Sequence, residues 1–161
     1  MRPYVEQQCG KTWLDTFSLA GKYYSASKPL EAMQLVTWDD YEEGSELETG
    51  IDNHVAISGQ LQGSTLHWTV ALDAAAPDEC VQAVAGGFDP ASTLDHFTVY
   101  VSPSGDGEHL TLVADGVPAS ATSIDLAGKL SAGSWDVFVY ATAKPSIRNH
   151  LSGAVPYVVS Q

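Results

Sequence analysis

A chain of 161 residues, 44% hydrophobic, with 20 acidic against 7 basic side chains and a net charge of −13, has room for one ordinary domain or a small domain plus part of another. Its field repels duplex nucleic acid and anionic membrane, which are held by Lys and Arg neutralising phosphates. No run of about 18 apolar residues reads as a membrane span, so the partners left are neutral or cationic.

The first thirteen residues, MRPYVEQQCGKTW, contain no apolar signal core and read as cut from a longer protein, with any export signal upstream. From Thr12 to about Ser27, Trp13, Phe17, Ala20 and Tyr24 fall at spacings of four, three and four. That is one stripe of an amphipathic helix, with Thr12 as N-cap, Asp15 three positions on, and Pro29 forbidding continuation. Ala32 to Thr37, AMQLVT, is a short apolar run without polar alternation, which suits a strand covered on both faces, as in a parallel barrel. Helix, loop and buried strand form half of a β/α unit whose further strands are missing from this chain.

Directly after that run Asp39, Asp40, Glu42, Glu43, Glu46 and Glu48 crowd together. A solvated acidic loop is one reading of such a cluster. The other follows from placement, because loops at the carboxyl ends of barrel strands build the active site. Asp40 and Glu43, three apart, supply the two carboxyl groups that glycoside hydrolysis needs. Crowding of like charges raises at least one pKa, as a general acid requires. Trp38 at the strand mouth offers either a stacking floor for a sugar ring or a rim aromatic.

Beyond Gly50 the character changes. Val55–Ser58, Thr65–Ala71, Phe97–Val101, Leu110–Ala114, Ser123–Leu126, Trp135–Ala141 and Val155–Val159 are short runs rich in β-branched and aromatic residues, separated by Gly-, Pro-, Asp- and Ser-rich turns. Leu66, Trp68 and Val70, and likewise Trp135, Val137, Val139 and Ala141, alternate as one face of a strand. The expectation is a mainly β chain: an immunoglobulin- or fibronectin type III-like sandwich over 54–161, preceded by a helix–strand remnant of a (β/α)8 barrel over 1–53. A further strand through Val81–Val84 is expected in the long loop from Asp73 to Asp95. No Pro- or Ser-rich linker separates the two parts, so they are expected to pack together near Ile51–His54.

The segment W-D-D-Y-E-E-G-S-E-L-E from Trp38 to Glu48 resembles the barrel-closing W-N-(D/E)-(Y/W)-x-E-(S/G) signature of glycoside hydrolase families 71 and 99, and is most similar to bacterial relatives reading TWNDYEEGTEIE. Trp38, Asp40, Tyr41, Glu43, Gly44 and Glu48 match, while Asp39 replaces Asn and Ser45 replaces Thr. The helix CGKTWLDTFSLAGKYY resembles the last barrel helix of those relatives, so the likeness covers residues 1–53. In family 99 the first and fourth positions of E-W-H-E-G are the catalytic pair, and they fall on Asp40 and Glu43; the Asp at the first position is shared with family 71. The resemblance implies the C-terminal part of an exported bacterial glycosidase acting on α-linked polysaccharide. Asp40 and Glu43 would be its acid/base pair, Trp38 and Tyr41 would line the sugar site, and the localisation would be secreted or periplasmic.

Other candidates carry less. His54, His67, His96, His109 and His150 stand singly without ligand spacing, so no metal and no cofactor is expected. The turns SPSGDGE and DPAS lack the spacing of a calcium loop. Trp68, Trp135, Tyr140 and Phe97 offer a carbohydrate platform in principle, but alternation places the tryptophans in the core. The segment Lys144–Gly153, KPSIRNHLSG, is a loop entering the last strand, with docking to the barrel one role open to it. Cys9 and Cys80 lie on either side of the expected boundary. A bridge and two unpaired, half-buried thiols both fit, and the sequence leans to the thiols. The sandwich reads as a structural accessory domain, or alternatively as a non-catalytic carbohydrate- or protein-binding module.

Overall fold

A computed structural model describes residues 6–34, 36 and 50–160. Its strands follow the alternation of the sequence closely. β1 (Val55–Gln62) and β2 (Thr65–Leu72) form an antiparallel hairpin, and β5 (Ser123–Asp125) pairs with the far edge of β2. β3 (Leu94–Pro103) lies between β4 (Thr111–Pro118) and β6 (Gly133–Ala143) in a second sheet. That sheet is completed by β7 (His150–Leu151) and β8 (Val155–Val159), both antiparallel to β6. Among the described residues the chain is therefore a mainly β, two-sheet sandwich with strand orders β1-β2-β5 and β4-β3-β6-β7, β8 also pairing β6.

The core is the set of inward positions that the alternation picks out. Phe97, Val99 and Val101 of β3 and Val137, Val139 and Ala141 of β6 face Ile57, Leu66 and Trp68, all of them buried. Trp68 meets Phe97 edge to face, ring centroids 5.3 Å apart, a geometry the ring quadrupoles favour. The two sheets approach closely at Gly59, where a Cβ would stand 2.8 Å from Val155 Cγ2. Any side chain there would push β1 off β8.

Four expectations need correction. The helix α1 runs Lys11–Tyr23 and starts two residues earlier than its apolar stripe suggests. Gly10, in the left-handed conformation, stands at its N-cap, so Thr12 lies inside the first turn and its hydroxyl donates to Glu6 O at 2.7 Å. The helix stops at Tyr24 because the backbone of Ser25 and Lys28 pairs into a tight turn ahead of Pro29.

Second, the described part of the expected buried strand, residues 32–34 and 36, is exposed and forms no strand. A parallel strand needs neighbouring strands, and among the described residues none lies beside it. Third, the expected strand through Val81–Val84 is a helix, α2 (Asp78–Ala85). Pro77 precedes it, Asp78 and Glu79 occupy its first turn, and Gly86 and Gly87 end it. Cys80 and Ala83, three apart, are its buried face.

Fourth, the cysteines are not free thiols. Cys9 and Cys80 form a disulfide across 71 residues, with Cα atoms 5.3 Å apart. Cys80 lies on the buried face of α2, where it meets the buried Cys9.

Candidate functional site

Trp38, Asp40, Tyr41 and Glu43, the residues expected to bind and cleave a sugar, all lie outside the described residues. The described residues on either side of that segment do carry a site. It is the joint where residues 6–34 and Gly50–Ile51 meet one end of the sandwich.

The loop between β6 and β7, residues 144–149, receives both sides of the N-terminal segment. Its shape comes from Ile147 N–H donating to Lys144 O at 3.0 Å, with Ser146 at φ +66°. Lys144 ties it to the residues before β3, its backbone N–H donating to Thr93 O and its Nζ to Ser92 O. Asn149 Oδ1 accepts from Ala143 N–H at 2.8 Å. Onto this frame α1 places one indole: Trp13 Nε1 donates to Pro145 O at 3.1 Å. Gly10 fits beneath, where a Cβ would lie 3.2 Å from Ile147 Cδ1 and 3.4 Å from Thr93 Cγ2.

From the other side, Ile51 joins Ile147 in a parallel bridge. Ile51 N–H donates to Ser146 O at 2.8 Å, and Arg148 N–H donates to Ile51 O at 2.9 Å. Both isoleucines are buried. Asn53, fully buried, extends the joint by donating from Nδ2 to Thr93 Oγ1 at 2.7 Å, and Thr93 donates in turn to Pro90 O. Buried polar groups need such partners to offset their lost hydration.

One carboxylate organises the charge. Asp52 Oδ1 accepts from His54 N–H at 2.8 Å, and Oδ2 receives Arg148 Nη1 at 2.7 Å. His54 Nδ1 lies 4.0 Å and His150 Nε2 3.6 Å from Asp52 Oδ1. His150 Nε2 is buried and has no hydrogen-bond partner among the described residues. Burial holds the His150 imidazole below its ordinary pKa; Asp52 opposes that shift, while Arg148 and His54 add to it. Across the joint, burial together with the nearby Glu6 raises the Glu79 carboxyl above the usual range.

The remaining candidates resolve individually. Trp68 is 2% exposed and Phe97 1%, so both are core, and Trp68 Nε1 is buried without a partner among the described residues. Trp135 is half-buried and donates its indole N–H to Ser131 O at 3.1 Å, closing the turn before β6. Tyr140 lies on the outer face of the second sheet, edge to face with Tyr100, and its hydroxyl accepts from Asn149 Nδ2. Asp106 accepts from the backbone N–H of Glu108 and His109, and Asp89 from Ala91 N–H, so each closes its own turn. Among the described residues no group of three or more His, Cys, Asp or Glu is placed to hold a metal, and no helix is long and apolar enough to cross a membrane. An open concavity of about 180 Å³ is lined by Ser58, Gln60, His67 and Thr69 over Gly59 and Trp68.

Sequence reasoning treated His54 and His150 as isolated and did not place Asp52. The signal lay in KPSIRNHLSG, whose Arg, Asn and His form most of the joint, but nothing in the linear order brings Asp52 to it. The fold and site together define a two-layer antiparallel sandwich fastened by a disulfide to an N-terminal helical segment. Compared with family models, curated proteins and solved structures, the chain matches none.

Proposed function

We propose that this chain is the C-terminal part of an exported glycoside hydrolase acting on α-linked polysaccharide, with the sandwich as a structural accessory domain that braces the end of the catalytic barrel. The observation that carries the structural role is the joint. The segment bearing the Trp38–Glu48 motif is fixed before the motif by Cys9–Cys80 and Trp13, and after it by Ile51, all onto one end of the sandwich. A flexible targeting module needs no such fastening; a brace does.

The other parts of the reading have their own support. The order β1-β2-β5 opposite β4-β3-β6-β7, with β8 also pairing β6, suits an immunoglobulin- or fibronectin type III-like sandwich. Leu19, Tyr23, Met33 and Val36 are large apolar side chains left exposed, as pieces of a barrel helix and strand are when the rest is absent. A disulfide persists in oxidising compartments, which supports secretion or a periplasmic location. The charge of −13 argues against nucleic acid and anionic membrane as partners. The alternative, a carbohydrate- or protein-binding module, calls for an exposed aromatic row, and buried Trp68 contributes nothing to one.

In the barrel-containing enzyme, Asp40→Asn and Glu43→Gln should each cut turnover on α-glucan or α-mannan by roughly 10²–10⁴-fold, measured as reducing-sugar release. The 161-residue chain alone should release none. Unchanged turnover in both variants, or cleavage by the chain alone, would overturn the assignment.

A further inference from the structure

We propose that the outer face of the second sheet, the side of β3 and β6 turned away from the core, docks an extended basic segment of another polypeptide. That segment carries Lys or Arg four residues apart, with an apolar side chain midway between them. Such docking requires neither the barrel nor the Trp38–Glu48 motif.

The two outer faces of the sandwich differ. That of the first sheet carries Ser58, Gln60, His67 and Thr69, the polar set of a solvated antiparallel face. On the second sheet the residues that alternate with Val99, Val137 and Val139 are aromatic instead. Tyr100 stands opposite Phe138, and Tyr140 lies two positions further along the same face of β6. The two tyrosine rings meet edge to face with centroids 6.3 Å apart. Leu112 opposite Tyr100 and Leu151 opposite Tyr140 extend the patch across β4 and β7, and they are 56% and 49% exposed. None of these five side chains belongs to the core cluster or packs against it. A contiguous apolar patch on an outer face marks an interaction surface.

Charge decides the occupant. The strands β3, β4, β6, β7 and β8 contain no Lys or Arg, but they include Asp95, Asp115 and Asp136. Two of these carboxylates bracket the patch. Asp136 stands opposite Ser102 at one end, its Oδ2 accepting from the Gly105 N–H at 2.7 Å. Asp115 lies at the other end, where its Oδ1 accepts from the Thr98 hydroxyl and the Gly116 N–H, both at 2.8 Å. Those bonds, the one from Thr98 foremost, hold the Asp115 carboxyl below its ordinary range, so it presents a fixed negative charge. Thr98 and Ser102 are four residues apart on one face of β3, about 13–14 Å at the antiparallel rise. An extended chain laid along β3 repeats that spacing, because its side chains at i, i+2 and i+4 share one side. Cations at i and i+4 then meet the two carboxylates, while the residue at i+2 covers Tyr100 and Phe138. A second copy of this chain, itself at −13, is repelled, and a neutral saccharide is not drawn by the field.

The test is NMR mapping on the intact 161-residue chain, titrated with a synthetic peptide containing Lys-Thr-Ile-Thr-Lys. The amides of Tyr100, Leu112, Phe138 and Leu151 should shift and saturate, while those of Ser58 and His67 on the opposite outer face stay still. Affinity should fall several-fold on adding salt, and several-fold for the isomer Lys-Lys-Ile-Thr-Thr, which has the same charge at the wrong spacing. The peptide Glu-Thr-Ile-Thr-Glu should give no shifts. Asp115→Asn and Asp136→Asn, which keep an acceptor oxygen for each turn, should each weaken binding several-fold, as should Leu112→Ser on the exposed rim. No response to the first peptide, or an equal response to either control peptide, overturns the proposal. So does a response of the same amides to maltohexaose without one to the lysine peptide, which would make the face a saccharide platform. Shifts that grow with the concentration of the chain alone would make it a self-association surface and overturn the proposal as well. Should an Asp variant fail to fold, the salt series on the parent chain decides: affinity that ignores salt rejects the docking.

Discussion

Helix α1 and strand β3 are both apolar elements of one chain, yet they are held in opposite ways. β3 buries Phe97, Val99 and Val101 to 1% exposure or less, between two neighbouring strands and beneath the other sheet. α1 has no fully buried residue, and Leu19 and Tyr23 are 58% and 63% exposed. Packing secures the strand. The helix is secured by a disulfide beside it, a glycine in a socket, one indole hydrogen bond and the packing of Trp13 and Leu14 against the rim of the core. Its first turns alone touch the core, and the rest of the helix lies outside it.

Removing a keystone of the packed region should give the largest effect. Phe97→Ala deletes a ring that fills the space between Trp68 and the second sheet, and truncations of this kind cost about 3–5 kcal/mol. Urea denaturation should show that loss as a lowered midpoint for the whole sandwich, with an unchanged slope. A loss below about 1 kcal/mol, the typical scale of an ordinary substitution, would mean that β3 is held no more tightly than α1.

Next in size is the fastening itself. Closing a loop of 71 residues restricts the unfolded chain enough to contribute about 4 kcal/mol on the chain-entropy account, and observed values run about 2–4. In the Cys9→Ser, Cys80→Ser double variant the α1 amides should exchange near their intrinsic rate while Val99 and Val139 stay protected. If both regions lose protection together, they form one cooperative unit and the contrast drawn here fails.

The same contrast explains what could be read from sequence. Seven strands are legible as short β-branched and aromatic runs between turn residues; β2 and β6 also alternate clearly over the core, and the burial of Leu66, Trp68, Val137 and Val139 follows directly. At residues 32–34 and 36 an apolar run suggests burial, but among the described residues nothing covers it. Val81–Val84 was misread because β-branched residues outweighed the Pro77 start and the Gly86–Gly87 stop. For the cysteines the sequence leaves both a bridge and free thiols open and leans to the thiols, because two cysteines 71 residues apart define no pairing pattern by themselves. At the joint, the loop 144–149 was legible as polar and amide-rich. Its partner Asp52 was not, because 96 residues separate it from Arg148 and no local pattern spans that distance.

The smallest effect is the most discriminating. Leu19 projects from α1 without cover, so Leu19→Gln in this chain should alter stability by no more than about 0.5 kcal/mol, as surface substitutions generally do. If the proposed reading holds and the outward face of α1 packs against the rest of a barrel in a longer protein, the same substitution there buries an amide in place of a leucine. It should then cost about 2–5 kcal/mol, the range for losing a buried aliphatic side chain. Thermal unfolding of both proteins, each with and without the substitution, measures the difference directly. An equal and negligible effect in both would leave α1 a surface helix and remove the reason for treating its apolar face as half of an interface. A large effect already in the short chain would show that Leu19 has cover here after all, and would return α1 to the core.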